Sequence, residues 1–154
     1  MNHWLMKSEP DVFGIEHLKA KPKGTAPWDG VRGYQARNML RDDMQVGDQA
    51  FFYHSSCAVP GIAGVIEITR AGYPDFTAWD PDSIHYDPKS SADKPIWYMV
   101  DVRFLNQFPR IITLQELKQH KPLRDMRLLQ RGTRLSIMPV TKHEWDYIIK
   151  LEKS

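Results

Sequence analysis

The chain has 154 residues, 42% of them hydrophobic, enough for one core, and the expected organisation is one domain over residues 1–154. A formal net charge of +2 is far from what a protein that holds nucleic acid by charge alone would carry, and the single cysteine, Cys57, excludes an internal disulfide, so a reducing cytoplasm is the expected compartment. No stretch approaches the roughly 18 consecutive apolar residues of a membrane span, and Met1–Lys7 is too short for a signal peptide, so no membrane partner is expected.

Trp4-Leu5-Met6 reads as a short strand that ends at Lys7-Ser8-Glu9-Pro10, because Pro10 lacks a ladder donor and restrains Glu9. Asp11 to Ala20 gives a short helix with Val12, Ile15 and Leu18 at spacing three, and the loop Lys21–Pro27 delivers Trp28. Asp29-Gly30 is a turn signal, since Gly tolerates positive φ and Asp bonds the backbone that follows it. A helix is then expected from Val31 to about Asp43, with Arg32, Gln35 and Asn38 on one face and Tyr34 on a neighbouring strip. Planar donors beside aromatics suit a flat, hydrogen-bonding ligand. The same residues are compatible with a solvated helix holding one satisfied arginine.

Gln49–His54 reads as an aromatic strand ended by Ser55-Ser56-Cys57, and Gly61–Thr69 as the next, with Gly61 and Gly64 allowing close approach of a backbone or a ligand. Ala71 to Pro95 is rich in proline and carries Tyr73, Trp79 and Tyr86, which argues for an ordered flap. Ile96–Phe104 is the longest strand candidate, with Trp97, Met99 and the later odd positions on one side. Thr113/Glu116 and Thr141/Glu144 have capping-box spacing, each opening a helix, and Arg134–Val140 between them contains a last strand. No internal repeat, low-complexity tract or charge block is read. This order predicts an α+β fold around a mixed, strongly curved sheet or small barrel.

The pattern Gly61-x-x-Gly64 lacks the Lys-Ser/Thr of a phosphate loop and the third Gly of a dinucleotide fingerprint, so no cofactor is expected. His85-x-Asp87 and His3 have no partners at metal-ligand spacing, and no metal is expected. Cys57 near His54 reads as incidental. Lys7-Ser8-Glu9 contains the elements of a base-assisted nucleophile, although Ser8 capping the next helix and Glu9 neutralising Lys7 would explain the same residues.

Trp4-Leu5-x-Lys7-Ser8-Glu9-Pro10, Trp28-Asp29-Gly30-Val31-Arg32-x-Tyr34-Gln35-Ala36-Arg37-Asn38, Gly47-Asp48 leading to Phe52-Tyr53-His54-Ser55, the Asp80-Pro81 and Tyr86 flap, and Ser136–Thr141 together resemble the signature of the EVE domain, over nearly the whole chain and in order. The resemblance implies a PUA-like fold, related to ASCH and YTH domains, in which a curved mixed sheet or pseudo-barrel is flanked by helices. The chain is expected to be a stand-alone bacterial-type version without the basic N-terminal extension of the best-known eukaryotic member. The implied function is a non-catalytic reader whose aromatic and polar pocket takes a modified nucleobase, a modified cytosine or adenine, flipped out of DNA or RNA.

For such a ligand, Trp28 is the first choice for a stacking wall, with Trp79 or Tyr86 as the second. Lys7 and Ser8 are placed at the base edge, while Arg32, Tyr34, Gln35 and Asn38 are expected at the base or nearby phosphate. Tyr53, His54 and Ser55 complete the rim. Family members commonly carry Asn where this chain has Gly33, which removes a donor and, inside a helix, costs about 1 kcal/mol relative to Ala. Two alternatives belong to other classes: a small hydrolase of a modified pyrimidine base or nucleoside, with Lys7, Ser8 and Glu9 as catalytic residues by analogy with ASCH relatives, and a protein-interaction module.

Overall fold

The computed structural model describes residues 1–154. Six strands, β1 (His3–Ser8), β2 (Thr25–Pro27), β3 (Gln49–His54), β4 (Gly61–Pro74), β5 (Tyr98–Thr113) and β6 (Ile137–Val140), form one sheet in the order β2-β5-β4-β3-β1-β6. β1 runs parallel to β3, and every other pairing is antiparallel. The sheet is mixed and open, with β2 and β6 at its edges, and the register shifts along β3/β4 and β4/β5 add the local twist that curves it. Helices α1 (Pro10–Phe13), α2 (Ile15–Lys19) and α3 (Tyr34–Asn38) lie in the crossover between the parallel strands, while α4 (Leu114–Leu117) and α5 (Lys142–Glu152) follow the long strands. None is long and apolar enough to cross a membrane.

Strand alternation builds two cores, one on each face of the sheet. Trp4 and Met6 of β1 and Ala50 and Phe52 of β3 enter the first core with Ile15, Leu18, Trp28 and Leu40 from the crossover. Leu5, Phe51 and Tyr53 point the other way, into a second core with Leu117, Leu123, Met126, Trp145 and Ile148. Phe51 stacks on Trp145 with ring centroids 3.9 Å apart. A strand between two cores needs apolar side chains at every position, which is why Ala50-Phe51-Phe52-Tyr53 does not alternate in polarity. Asp48 is the buried polar anchor of this layer: its carboxylate accepts from the Trp4 indole at 3.0 Å and from the backbone N–H of Asn2 and Gln45.

Several elements depart from the expectations, each for a local reason. The helix expected over Asp11 to Ala20 is two short helices, because Gly14 is extended (φ −87°, ψ 172°) and takes the N-terminal position of the second. The helix expected from Val31 starts at Tyr34 and loosens into a π turn over Met39–Asp43; Gly33 sits in front of it with extended backbone, so the cost of a glycine in a helix interior does not apply. On β5 it is Val100 and Val102 that enter the first core, and Trp97 precedes the strand. Lys7 and Ser8 belong to β1, whereas a turn was expected there. The close approach at Gly61 and Gly64 is made by the backbone of β5, whose Ile112 and Asn106 carbonyls would lie 2.4 and 2.2 Å from an added Cβ. Thr141 and Glu144 form the full reciprocal capping box of α5. Thr113 forms only half of one, because the Glu116 carboxylate turns to Arg110.

Candidate functional site

The C-terminal end of β1, the chain from β2 to Arg32, and the flap around His85 enclose a cavity of about 720 Å³. Its wall carries Lys7, Ser8 and Glu9 from the first segment, Pro27 to Arg32 from the second, Ser83 to His85 from the third, and Ser136 just before β6. Its apolar side is Trp28, Phe13 and Val31, and its polar side is Lys7, Ser8, Arg32 and His85. That size and mixture suit a small planar ligand.

Trp28 is fixed on three sides. Its backbone N–H donates to the Val100 carbonyl at 2.7 Å, extending the β2/β5 ladder, and its indole meets Phe52 and Phe13 edge to face at 5.2 and 6.2 Å. With only 5% of its surface exposed, Trp28 is both a core residue and the cavity wall. The turn that follows depends on Gly30, whose φ is +80° and where an added Cβ would lie 2.4 Å from the His85 ring. A glycine is required there twice over, by conformation and by the flap packed against it.

Asp75 is the hub of this turn, and it was not among the residues expected at the site. Its side chain is fully buried and accepts from the Gly30 N–H at 2.8 Å, the Arg32 guanidinium at 3.1 Å and the Thr77 N–H at 2.9 Å. Burial by itself raises the Asp75 pKa, but the hydrogen bonds from Thr77, Gly30 and Arg32 outweigh it and hold the carboxyl below its ordinary value. Arg32 also donates to the His85 carbonyl at 2.6 Å and lies over the Trp97 ring at 5.4 Å, so one guanidinium ties the Trp28 turn to the flap. The signal available in the sequence was Asp75-x-Thr77, an Asx-type cap at the start of a short helical turn.

At the end of β1 the alternation of the strand sends neighbours apart. Lys7 leans over the Tyr53 ring at 5.9 Å, whereas the Ser8 hydroxyl donates to the Phe13 carbonyl at 2.7 Å on the other face. Both still reach the cavity because the strand stops there. Lys7 has no carboxylate within ion-pair distance, and burial lowers its pKa. Neither structural role anticipated for this trio is present: Ser8 does not cap α1, and Glu9 does not pair with Lys7.

The other expected residues lie around this cavity rather than on its wall. Tyr34 is exposed, 5.0 Å from Trp97, with the Arg37 guanidinium over its ring; Gln35 and Asn38 are exposed beside it. The Arg32–Gln35–Asn38 face does not exist, because Arg32 precedes the helix. Tyr53 is buried in the second core, which pushes its phenol up to about 12. His54 accepts from the Ile15 N–H at 3.1 Å and so starts α2, while the Ser55 N–H holds the Ser8 carbonyl at 2.9 Å. Trp79 packs under the flap with a buried indole N–H that meets no acceptor, and Tyr86 is exposed. His85 and Asp87 are engaged separately, the former against Gly30 and the latter by the Trp97 indole at 2.7 Å.

The motifs that form this cavity are those that carried the resemblance, and the EVE domain family model matches residues 2–151. The chain belongs to the EVE domain family. This EVE domain is similar to human thymocyte nuclear protein 1, at 50% identity over 169 residues that cover 99% of this chain and 74% of the relative. It is also similar to the crystal structure of human THYN1 protein in complex with 5-methylcytosine containing DNA, with TM-score 0.94 and 50% identity over 100% of this chain and 99% of that one. A Pseudomonas putida protein of known crystal structure is 54% identical, with TM-score 0.92, over 97% of this chain and 99% of that one.

Proposed function

We propose that this EVE domain is a non-catalytic reader of a modified nucleobase in DNA or RNA, and that the base enters the cavity at the end of β1. The observation that carries this is the cavity itself, whose lining combines a rigid aromatic wall, Trp28, with Lys7, which has no carboxylate partner, and a fixed guanidinium, Arg32. A base held there is stacked on one side and offered donors at its edge, which offsets the few kcal/mol of unstacking that flipping costs. The similarity to human THYN1 protein, crystallised with 5-methylcytosine-containing DNA, supports a modified cytosine as the first ligand to test.

Lys7 and Ser8 act at the base edge in this reading, and Arg32 holds the flap shut over it. Catalysis by Lys7, Ser8 and Glu9 has no supporting geometry: the Ser8 proton goes to the Phe13 carbonyl, and Lys7 lies on the opposite face of the strand. The working compartment in this proposal is the cytoplasm, where a lone cysteine such as Cys57 stays reduced.

The test is binding at fixed salt to matched single- and double-stranded oligonucleotides that differ in one modified base, with Trp28→Phe and Lys7→Met in parallel and every sample weighed for base conversion. Tighter binding to one modified base, weakened about tenfold or more by either variant, supports the reader. Equal binding to every oligonucleotide sinks it, and a change in base mass replaces it with the hydrolase.

A further inference from the structure

Residues 118–134, between α4 and β6, are not part of the cavity lining, yet their charge is unlike that of the rest of the molecule. Six of them are basic, Lys118, Lys121, Arg124, Arg127, Arg131 and Arg134, and Asp125 is the only acid. Residues 118–134 therefore hold a net +5, and since the whole chain carries +2, the remainder carries −3. The basic residues are spaced three or four apart rather than run together, so a search for charge blocks passes over them.

The structure turns this spacing into a surface. Leu123, Met126 and Leu128 are anchored in the second core between two short helical turns, and all six basic side chains are exposed around them. Only Arg124 has a carboxylate partner, Asp125, at 4.0 Å, with both side chains more than three-quarters exposed. A pair that long and that exposed is worth close to nothing. The other five have no carboxylate partner and follow one another along a single segment whose Leu123, Met126 and Leu128 are fixed in the core. The segment ends beside the cavity: Ser136, two residues after Arg134, lines it, and the Ser136 carbonyl accepts the Lys7 N–H at 2.8 Å.

We infer that residues 118–134 form a phosphate-binding surface that grips the sugar-phosphate backbone of the nucleic acid whose base occupies the cavity. Five unpaired cations on a molecule otherwise net acidic match a polyanion, and continuity through Ser136 places the two contacts on one strand. This rests on the reader proposal for the base but not for the charge contact. Backbone contacts supply affinity and salt dependence without sequence information, while base contacts supply selectivity.

The experiment uses the full chain and the variant Arg124→Gln/Arg127→Gln/Arg131→Gln, whose three positions are exposed and leave the core intact. Binding to a duplex with one 5-methylcytosine and to its unmodified twin is measured across a range of salt. Each duplex phosphate contact contributes about 0.9 to the slope of log affinity against log salt, so the triple variant is expected to flatten that slope by about 2 to 3 while keeping the ratio between the two duplexes. Lys7→Met is expected to do the reverse, losing the ratio and keeping the slope. An unchanged slope in the triple variant overturns the inference, as does a loss of the ratio equal to the loss of affinity. If the wild type shows no preference for the modified duplex but the triple variant still flattens the slope, the reader proposal fails and the phosphate surface stands.

Discussion

Lys7, on the cavity wall, and Asp75, buried behind it, come to opposite electrostatic ends. Lys7 is half-buried with no partner, so the fold tolerates its charge and is not held together by it. Lys7→Met removes that unfavourable term, and the variant is expected to be more stable by about 0.5–1 kcal/mol in denaturant unfolding while binding its ligand less well. A group that costs stability and serves binding is the expected sign of a functional position; a less stable Lys7→Met would make Lys7 structural. Asp75 is the converse, a carboxylate whose ionised form is held by the Gly30, Arg32 and Thr77 donors. Its folded pKa lies below the ordinary value of 3.8, so the unfolded chain binds the proton first. The stability it contributes is complete above that value and is lost as pH falls through the folded pKa. Asp75→Asn is expected to be less stable by about 2–3 kcal/mol at neutral pH and to lose less on acidification below pH 4 than the wild type does, as followed by urea unfolding at several pH values.

The element that decides the site is the chain from Trp28 to Tyr34, and its two glycines have different jobs. Gly30 needs positive φ and lies against His85, so Gly30→Ala is expected to cost about 1–3 kcal/mol and to loosen the flap, seen as faster amide exchange around His85. Gly33 has extended backbone, stands in front of α3 and has nothing within 4 Å of an added Cβ. Gly33→Asn is expected to supply the missing side-chain cap and raise stability by a few tenths of a kcal/mol. A sequence reading placed this glycine inside the helix because Arg32, Gln35 and Asn38 recur at helical spacing. The recurrence was real and the helix began later, since the Asp29-Gly30 turn hands its neighbour Arg32 to Asp75 and only then lets the backbone coil.

At the scale of the molecule, two cores divide the labour. The first contains Trp28, and the second, on the opposite face, contains Phe51 and Trp145. Phe51→Ala is expected to cost about 3–5 kcal/mol in unfolding free energy, because it removes the ring stacked on Trp145, and to leave the preference for a modified base unchanged in the fraction that remains folded. Trp28→Phe keeps most of the buried volume and is expected to cost less than that while lowering the preference. If both variants shifted the preference equally, the cavity wall and the distant core would not be separable.

The fold was legible because its signals are local or periodic. The Thr141/Glu144 box opens α5 as its spacing requires, and the aromatic run from Phe51 to Tyr53 is buried strand. Trp28, Asp29-Gly30 and Lys7-Ser8, which the fold brings to one cavity wall, were legible as candidates because turn chemistry and an unusual density of donors are written in adjacent residues. Local pattern does not say which residues from distant segments meet. Asp75 reaches Gly30 across 45 positions and the His85 carbonyl meets Arg32 across 53, and nothing in either segment names the other. The same limit left Tyr34, Gln35 and Asn38 as cavity candidates when the late start of α3 turns them to solvent. It also hid residues 118–134, whose charges come together only once Leu123, Met126 and Leu128 are pinned in the second core. The sequence alone determined the family, the turn that carries Trp28 and every strand except β2, which lies in the segment read as the Lys21–Pro27 loop, since each of these signals is a motif written in adjacent residues. Only the tertiary structure decided the cavity wall, its buried carboxylate and the basic surface beside it, because each depends on which side chains the sheet order brings within contact distance.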